Sequence, residues 1–262
     1  SFASGNLTAA TSGNVSVTAG TATQLSIITQ PPEAATSGVA LTRQPAIQLQ
    51  DASGNSVSTQ DVTVTASIVT GTGTLSNETA TTDASGVATF NGLTLSGTAG
   101  DFTLSFDTDI TSAITSTTTI VLSVGAAAQL AITTQPVGGT SGAPLGTQPV
   151  VEIRDAQGNR VTDSTVEVTV SIASGNGGTL GGTQTVNAVD GVATFRDLTL
   201  AGTVTETYTL SFASGNLTAA TSGNVSVTAG TATQLAITTQ PVGGTSGAPL
   251  GTQPVVEIRD AQ

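Results

Sequence analysis

The chain has 262 residues with no Cys, His, Met, Trp or Lys, five Arg and 17 acidic residues, for a formal net charge of −12. Without His, Cys or Lys, most general-base and nucleophilic chemistry and the usual transition-metal sites have nothing to work with, leaving hydroxyls and carboxylates that suit a hard cation or a glycosidase-like acid pair. The acidic balance speaks against nucleic acid and anionic membranes as partners.

The absence of Lys also excludes a Lys–Asn isopeptide crosslink. No stretch reaches the roughly 20 apolar residues of a membrane span, so no membrane insertion is expected in this segment. Ser1 opens inside a pattern rather than at a start, so no signal peptide is expected and the chain reads as a window on a longer protein.

That pattern is a repeat. SFASGNLTAATSGNVSVTAGTATQL at Ser1–Leu25 returns letter for letter at Ser211–Leu235, and AITTQPVGGTSGAPLGTQPVVEIRDAQ at Ala131–Gln157 returns at Ala236–Gln262. Gln24, Gln129 and Gln234 are 105 residues apart, as are Gly20, Gly125 and Gly230. Periods of about 20–50 residues mark solenoids, whereas one near 100 has the size of a domain with its own core. The expected division is 1–20, the end of a preceding repeat; 21–125 and 126–230, two whole repeats; and 231–262, the start of a following one. Eight acids and one Arg give the first whole repeat −7; seven acids and three Arg give the second −4.

Within the first repeat, Asp51-Ala-Ser-Gly-Asn55 reads as a turn, Val62, Val64, Ala66 and Ile68 alternate as a half-buried strand, and Phe102, Leu104 and Phe106 alternate as another. The second repeats the layout with strands at Gln129–Thr134, Val150–Asp155 and Val166–Ile172. Further strands follow at Thr185–Val189, Val192–Phe195, Leu198–Leu200 and Tyr208–Phe212, with Asp190-Gly191 as a hairpin signal and Asn224–Val227 closing the repeat. A short strand is expected near Thr179-Leu180, inside the Gly-rich loop Gly175–Gly182, whose counterpart is Thr70–Asn77. No segment has a helical period. The pattern predicts an all-β chain of tandem immunoglobulin-like β-sandwiches, about seven strands each, strung as beads in a rod.

The layout QLAITTQP…QPVVEIRDAQGNRV…STVEVTVSIA…GVATFRDLTL…YTLSF resembles the bacterial Ig-like tandem repeats of invasin/intimin-type and giant surface adhesins. The pieces that carry the resemblance are the Asp-x-x-Gly-Asn-x-Val turn, the Gly-Val-Ala-Thr-Phe strand at Gly86–Phe90 and Gly191–Phe195, and the Leu-Thr-Leu after it. The resemblance implies an extracellular stalk on a bacterial cell surface, with no active site to carry over.

Candidate sites are few. Asp51 with Asn55, and Asp155 with Asn159, offer oxygens to Ca²⁺, set against a turn in which Asp accepts backbone N–H groups and Gly takes positive φ. Asp107 and Asp109 are the better calcium candidates, although their counterparts in the second repeat are not acidic; no other cofactor or metal is expected. The Thr-rich run Thr115–Thr119 reads as a solvated strand face and Tyr208 as core. Sequons stand at Asn6, Asn14, Asn77, Asn216 and Asn224. The junctions Ala19–Leu25, Val124–Leu130 and Ala229–Leu235 lack a flexible spacer, which predicts limited bending.

Function on this reading is structural and non-catalytic: a stalk or spacer that projects an adhesive module, with neighbouring repeats as its partners. The alternative is a subunit of an extracellular filament or sheath, in which identical chains associate laterally or end to end.

Overall fold

A computed structural model describes residues 1–260; the last two residues of the expected 231–262 fragment, Ala261 and Gln262, lie outside them. The described residues contain strands and turns and no helix. They form two compact units, the first Ser1–Ser123 and the second from Val124 onward.

The first unit runs through β1 (Gln24–Thr29), β2 (Ala34–Thr36), β3 (Val39–Ala40), β4 (Ala46–Gln50), β5 (Thr63–Thr70), β6 (Gly73–Ser76), β7 (Thr79–Thr81), β8 (Val87–Thr89), β9 (Thr94–Gly97), β10 (Gly100–Asp107), β11 (Ile114–Thr115) and β12 (Ile120–Ser123). One sheet has the order β1-β4-β8, and a second has β2-β12-β10-β5-β7 with β11 paired to β10; a ribbon β3-β9-β6 completes the unit. Alternation explains the two-layer packing. In β5, Val64 and Ala66 point inward while Thr63, Thr65 and Ser67 face water. The pairings Leu25↔Leu49, Ile27↔Ile47 and Phe106↔Ala66 keep apolar residues on the inner faces, where they close over one core.

The second unit runs through β13 (Ala127–Thr134), β14 (Val150–Asp155), β15 (Glu167–Ser174), β16 (Thr179–Gly181), β17 (Thr185–Asn187), β18 (Val192–Thr194), β19 (Thr199–Ala201), β20 (Thr209–Ala213) and β21 (Ala220–Thr221), then β22 (Gln234–Thr239) and β23 (Val255–Arg259). Its sandwich sets β13-β14-β18 against β17-β15-β20-β21, with β16-β19 beside them; β22 and β23 pair with each other. The cores share an aromatic centre. Phe90 and Phe106 tilt at 56° with centroids 5.4 Å apart, and Phe195 and Phe212 tilt at 59° at the same separation. Tilted pairs of this kind add about 0.5–1.5 kcal/mol to the burial of the rings. The fold class is all-β, with an immunoglobulin-like sandwich in each unit.

Turn chemistry follows the sequence closely. Asp190 (φ 50°) and Gly191 (φ 72°) form a two-residue hairpin turn between Val189 and Val192, which exchange both backbone hydrogen bonds at 2.9 Å. The closing strand differs. In the first unit β12 is continuous, but the expected strand Asn224–Val227 shrinks to isolated bridges at Val225 and Thr228. Its partner segment carries Gly138-Gly139 where the first unit has Ala34-Ala35 in β2. Gly138 passes so close to Ser226 that an added Cβ would lie 1.7 Å from its carbonyl oxygen. Glycine permits the approach but weakens the strand.

Candidate functional site

Residues that recur from repeat to repeat converge on one structure in three places, a clamp on the glycine that precedes β1, β13 or β22. Asp51 follows β4 and opens the turn to Asn55, in which Gly54 takes φ +83°. Its Oδ1 accepts the backbone N–H groups of Ser53 and Asn55, both at 2.9 Å. Its Oδ2 accepts the Gly20 N–H at 2.9 Å and Asn55 Nδ2 at 3.0 Å. Gln24 Nε2 donates to the Asp51 carbonyl at 2.7 Å. The clamp recurs at Asp155, which accepts Gln157, Asn159 and Gly125 N–H at 2.9 Å while Gln129 Nε2 donates to its carbonyl at 2.9 Å. It recurs again where Gly230 donates to Asp260 Oδ2 at 2.6 Å and Gln234 to the Asp260 carbonyl at 2.9 Å.

The electrostatics fit this geometry. The Gly20 N–H, then the Asn55 side chain and backbone, pull the Asp51 carboxyl from its ordinary 3.8 to about 2 against the opposing effect of burial. At Asp155 burial pushes upward, but Asn159, Gly125 and Gln157 outweigh it and the carboxyl is held below its ordinary value. Both carboxylates accept N–H donors from their own chain, so each position is a turn with a long-range bond. The turn reading of Asp51/Asn55 and Asp155/Asn159 holds.

Asp107 and Asp109 sit elsewhere. With Asp61, Val62, Thr108 and Ile110 they line an open groove of about 610 Å³, and Asp107 Oδ1 accepts the N–H of its neighbour Thr108. Among the described residues no group of three or more carboxylates is arranged to hold a metal ion. Two glycines of Gly175–Gly182 serve packing: a Cβ at Gly175 (φ +107°) would lie 2.3 Å from the Tyr208 ring, and one at Gly178 2.4 Å from it. Tyr208 is core, as expected, and its hydroxyl accepts the Thr203 N–H and donates to the Asn176 carbonyl. All five sequon asparagines are exposed, and Asn77 donates to the Gly92 carbonyl. The Thr115–Thr119 run is not a uniform outer face, because Ser116 turns inward, taking the Leu104 N–H and giving to the Thr118 carbonyl.

Sequence reasoning passed over three further polar positions that the units share. Ser37 and Ser141 bond the Gly97 and Gly202 backbones; Gln44 and Gln148 bond Leu93 and Leu198. Ser222 takes the Leu210 N–H as Ser116 takes that of Leu104. The signal was present in the identical Thr-Ser-Gly and Gln-Pro letters at aligned places.

A family model described as SMCHD1 Ig-like domain 6 matches residues 20–128. A comparison with curated proteins gives no match. Among solved structures, the Yersinia pseudotuberculosis adhesin InvE is 17% identical over 83% of this chain and 67% of its own, with a TM-score of 0.32. The D0-D1 domain of intimin is 20% identical over 79% of this chain and 98% of its own, at 0.28. A Parabacteroides merdae β-glucuronidase is 13% identical over 76% of this chain and only 24% of its own, at 0.26. Overlays at these scores add nothing to the sandwich architecture read directly from the strands.

Proposed function

We propose that the chain is a run of stalk repeats from a long bacterial cell-surface protein, extracellular, non-catalytic and serving to hold an adhesive module away from the cell. Its repeats are 21–125 and 126–230, with parts of others at 1–20 and 231–262, and each repeat's partner is its neighbour in the chain. The observation that carries this reading is the glycine clamp. Residues that recur once per repeat, Gly20, Gly125 and Gly230 with Asp51, Asp155 and Asp260, build the turn that holds the chain leading into a first strand, not a cleft. A protein selected for length keeps the turns that build each bead and lets its loops drift, as Gly175–Gly182 and Thr70–Asn77 have done.

Small-angle scattering on residues 21–230 across a concentration series tests the proposal. An extended monomer of about 70–90 Å supports it, from strands of six to eight residues at roughly 3.3 Å each plus loops. Growth with concentration replaces it with the filament reading.

A further inference from the structure

We propose that Asn176 is a site of spontaneous covalent modification, where the chain turns an asparagine into aspartate and isoaspartate and gains a negative charge. The inference stands on loop geometry and is independent of the stalk reading. The chemistry needs an asparagine side chain and the backbone nitrogen of the next residue. That nitrogen loses its proton and attacks Cγ; the new C–N bond closes a cyclic imide, and the side-chain nitrogen takes up a proton and leaves as ammonia. Water then opens the ring at either carbonyl, giving aspartate or isoaspartate, with nothing oxidised or reduced. Glycine in the next position favours the attack, because it has no side chain to shield its nitrogen.

Asn is followed by Gly at two places, Asn91-Gly92 and Asn176-Gly177. Both asparagines are exposed, and neither glycine gives its N–H to a partner among the described residues. The hold on the surrounding backbone separates them. Asn91-Gly92 links two buried anchors, Phe90 and Leu93. Phe90 N–H gives to the Pro45 carbonyl at 3.0 Å, and Leu93 N–H to Gln44 Oε1 at 2.9 Å. The Gly92 carbonyl accepts Asn77 Nδ2 at 2.9 Å and the Thr94 hydroxyl at 3.0 Å. Closing the imide there requires this connection to open first, at the free-energy cost of the bonds it breaks.

Asn176-Gly177 lies in the loop between β15 and β16, where Gly175, Asn176 and Gly177 are all exposed. A Cβ added at Gly177 would meet nothing within 4 Å, so the imide has room to form. One long bond restrains the pair: the Tyr208 hydroxyl gives to the Asn176 carbonyl at 3.3 Å. It steadies the peptide plane that must rotate to carry the Gly177 nitrogen to Cγ, so Tyr208 is a brake on the reaction rather than a reactant. The Asp190-Gly191 pair shows the contrary case, because Gly191 gives its N–H to the Ser164 carbonyl at 3.2 Å. Modification at 176 adds one negative charge to the second repeat. Isoaspartate also adds a main-chain carbon between Gly175 and Gly178, the two glycines that lean on the Tyr208 ring.

The full chain, held in mildly alkaline buffer with and without unfolding urea, tests the proposal. Peptide mass spectrometry follows the exchange of NH₂ for OH at each asparagine, and chromatography separates isoaspartate from aspartate. In the folded chain Asn176 is expected to convert several-fold faster than Asn91, and in urea the two rates should converge. Tyr208→Phe keeps the ring and removes the hydroxyl; it should speed Asn176 about twofold or more and leave Asn91 unchanged. No conversion at Asn176 in the folded chain, an Asn91 that keeps pace with it, or a rate ratio that persists in urea overturns the inference. A Tyr208→Phe chain that converts no faster than wild type overturns the brake. Each result is independent of whether scattering shows an extended monomer, so this inference and the stalk reading can fail separately.

Discussion

The backbone N–H of Gly125 donates to Asp155 Oδ2 at 2.9 Å across thirty residues of chain, and Gly20 makes the same bond to Asp51 Oδ2 at the same distance. A carboxylate already occupied by its own turn thus ties down the segment leading into the first strand. Asp155→Ala removes the acceptor for Gly125, Gln157 and Asn159 together. The expected loss is about 2 kcal/mol or more, the range for bonds to a charged group left without a partner. Tyr208 is the only Tyr and lies in the second unit, so its fluorescence during urea unfolding reads that unit directly. An unchanged midpoint would show that the turn holds itself without the aspartate.

The clamp makes stability depend on acid. Asp51 has its folded pKa lowered to about 2, so its contribution is fully present above the ordinary value of 3.8 and disappears as pH falls through the folded value. Asp83 and Asp197 are lowered too, chiefly by the Ser85 hydroxyl and the Thr183 N–H, and act in the same direction. Circular dichroism in a fixed urea concentration should show constant stability from neutrality to about pH 4 and a steady loss toward pH 2. Asp51→Asn should flatten part of that loss; a wild-type curve that is level between pH 4 and pH 2 would contradict the account.

The aromatic slot of the second unit gives a graded pair. Tyr208→Phe loses bonds to Thr203 and Asn176 and should cost about 1 kcal/mol, because the first unit already places Phe102 in the same role. Gly175→Ala should cost about 2–4 kcal/mol, since its Cβ meets the ring at 2.3 Å and its φ of +107° strains any L side chain. Urea midpoints followed by circular dichroism would rank them, and the reverse order would mean that the loop yields more easily than the ring packing suggests.

Calcium should leave melting unchanged. Binding only to the folded state at a hundredfold excess over Kd adds about 2.7 kcal/mol, a rise of several degrees. Millimolar CaCl₂ should give no such rise, and Asp107→Ala with Asp109→Ala should alter neither curve. A calcium-dependent rise abolished by those substitutions would make the groove beside Asp61 an ion site.

Much of this was legible in the letters. Period-two alternation placed Val64, Ala66, Val168 and Val170 in the cores, and Asp-Gly at 190–191 named its turn, because both depend on local geometry that one strand or one peptide pair sets alone. The long-range partners were not legible. Nothing near Asp51 in sequence says that Gly20 will come to it, and nothing near Ser116 says that it will turn inward beneath Leu104. The shrinkage of the last strand in the second unit depends on Gly138 across the sheet, so its own residues, Asn224–Val227, could not announce it.

In the segment SFASGNLTAATSGNVSVTAG at 211–230, Phe212 is fully buried and Val227 is 4% exposed. The sequence by itself determined the 105-residue period, the strand-forming alternation and the turn chemistry, since these are local or arithmetical properties of the chain. Tertiary structure alone decided the partners. Phe212 meets Phe195 and pairs with Val170, because an apolar side chain leaves water only when a complementary face is there to receive it.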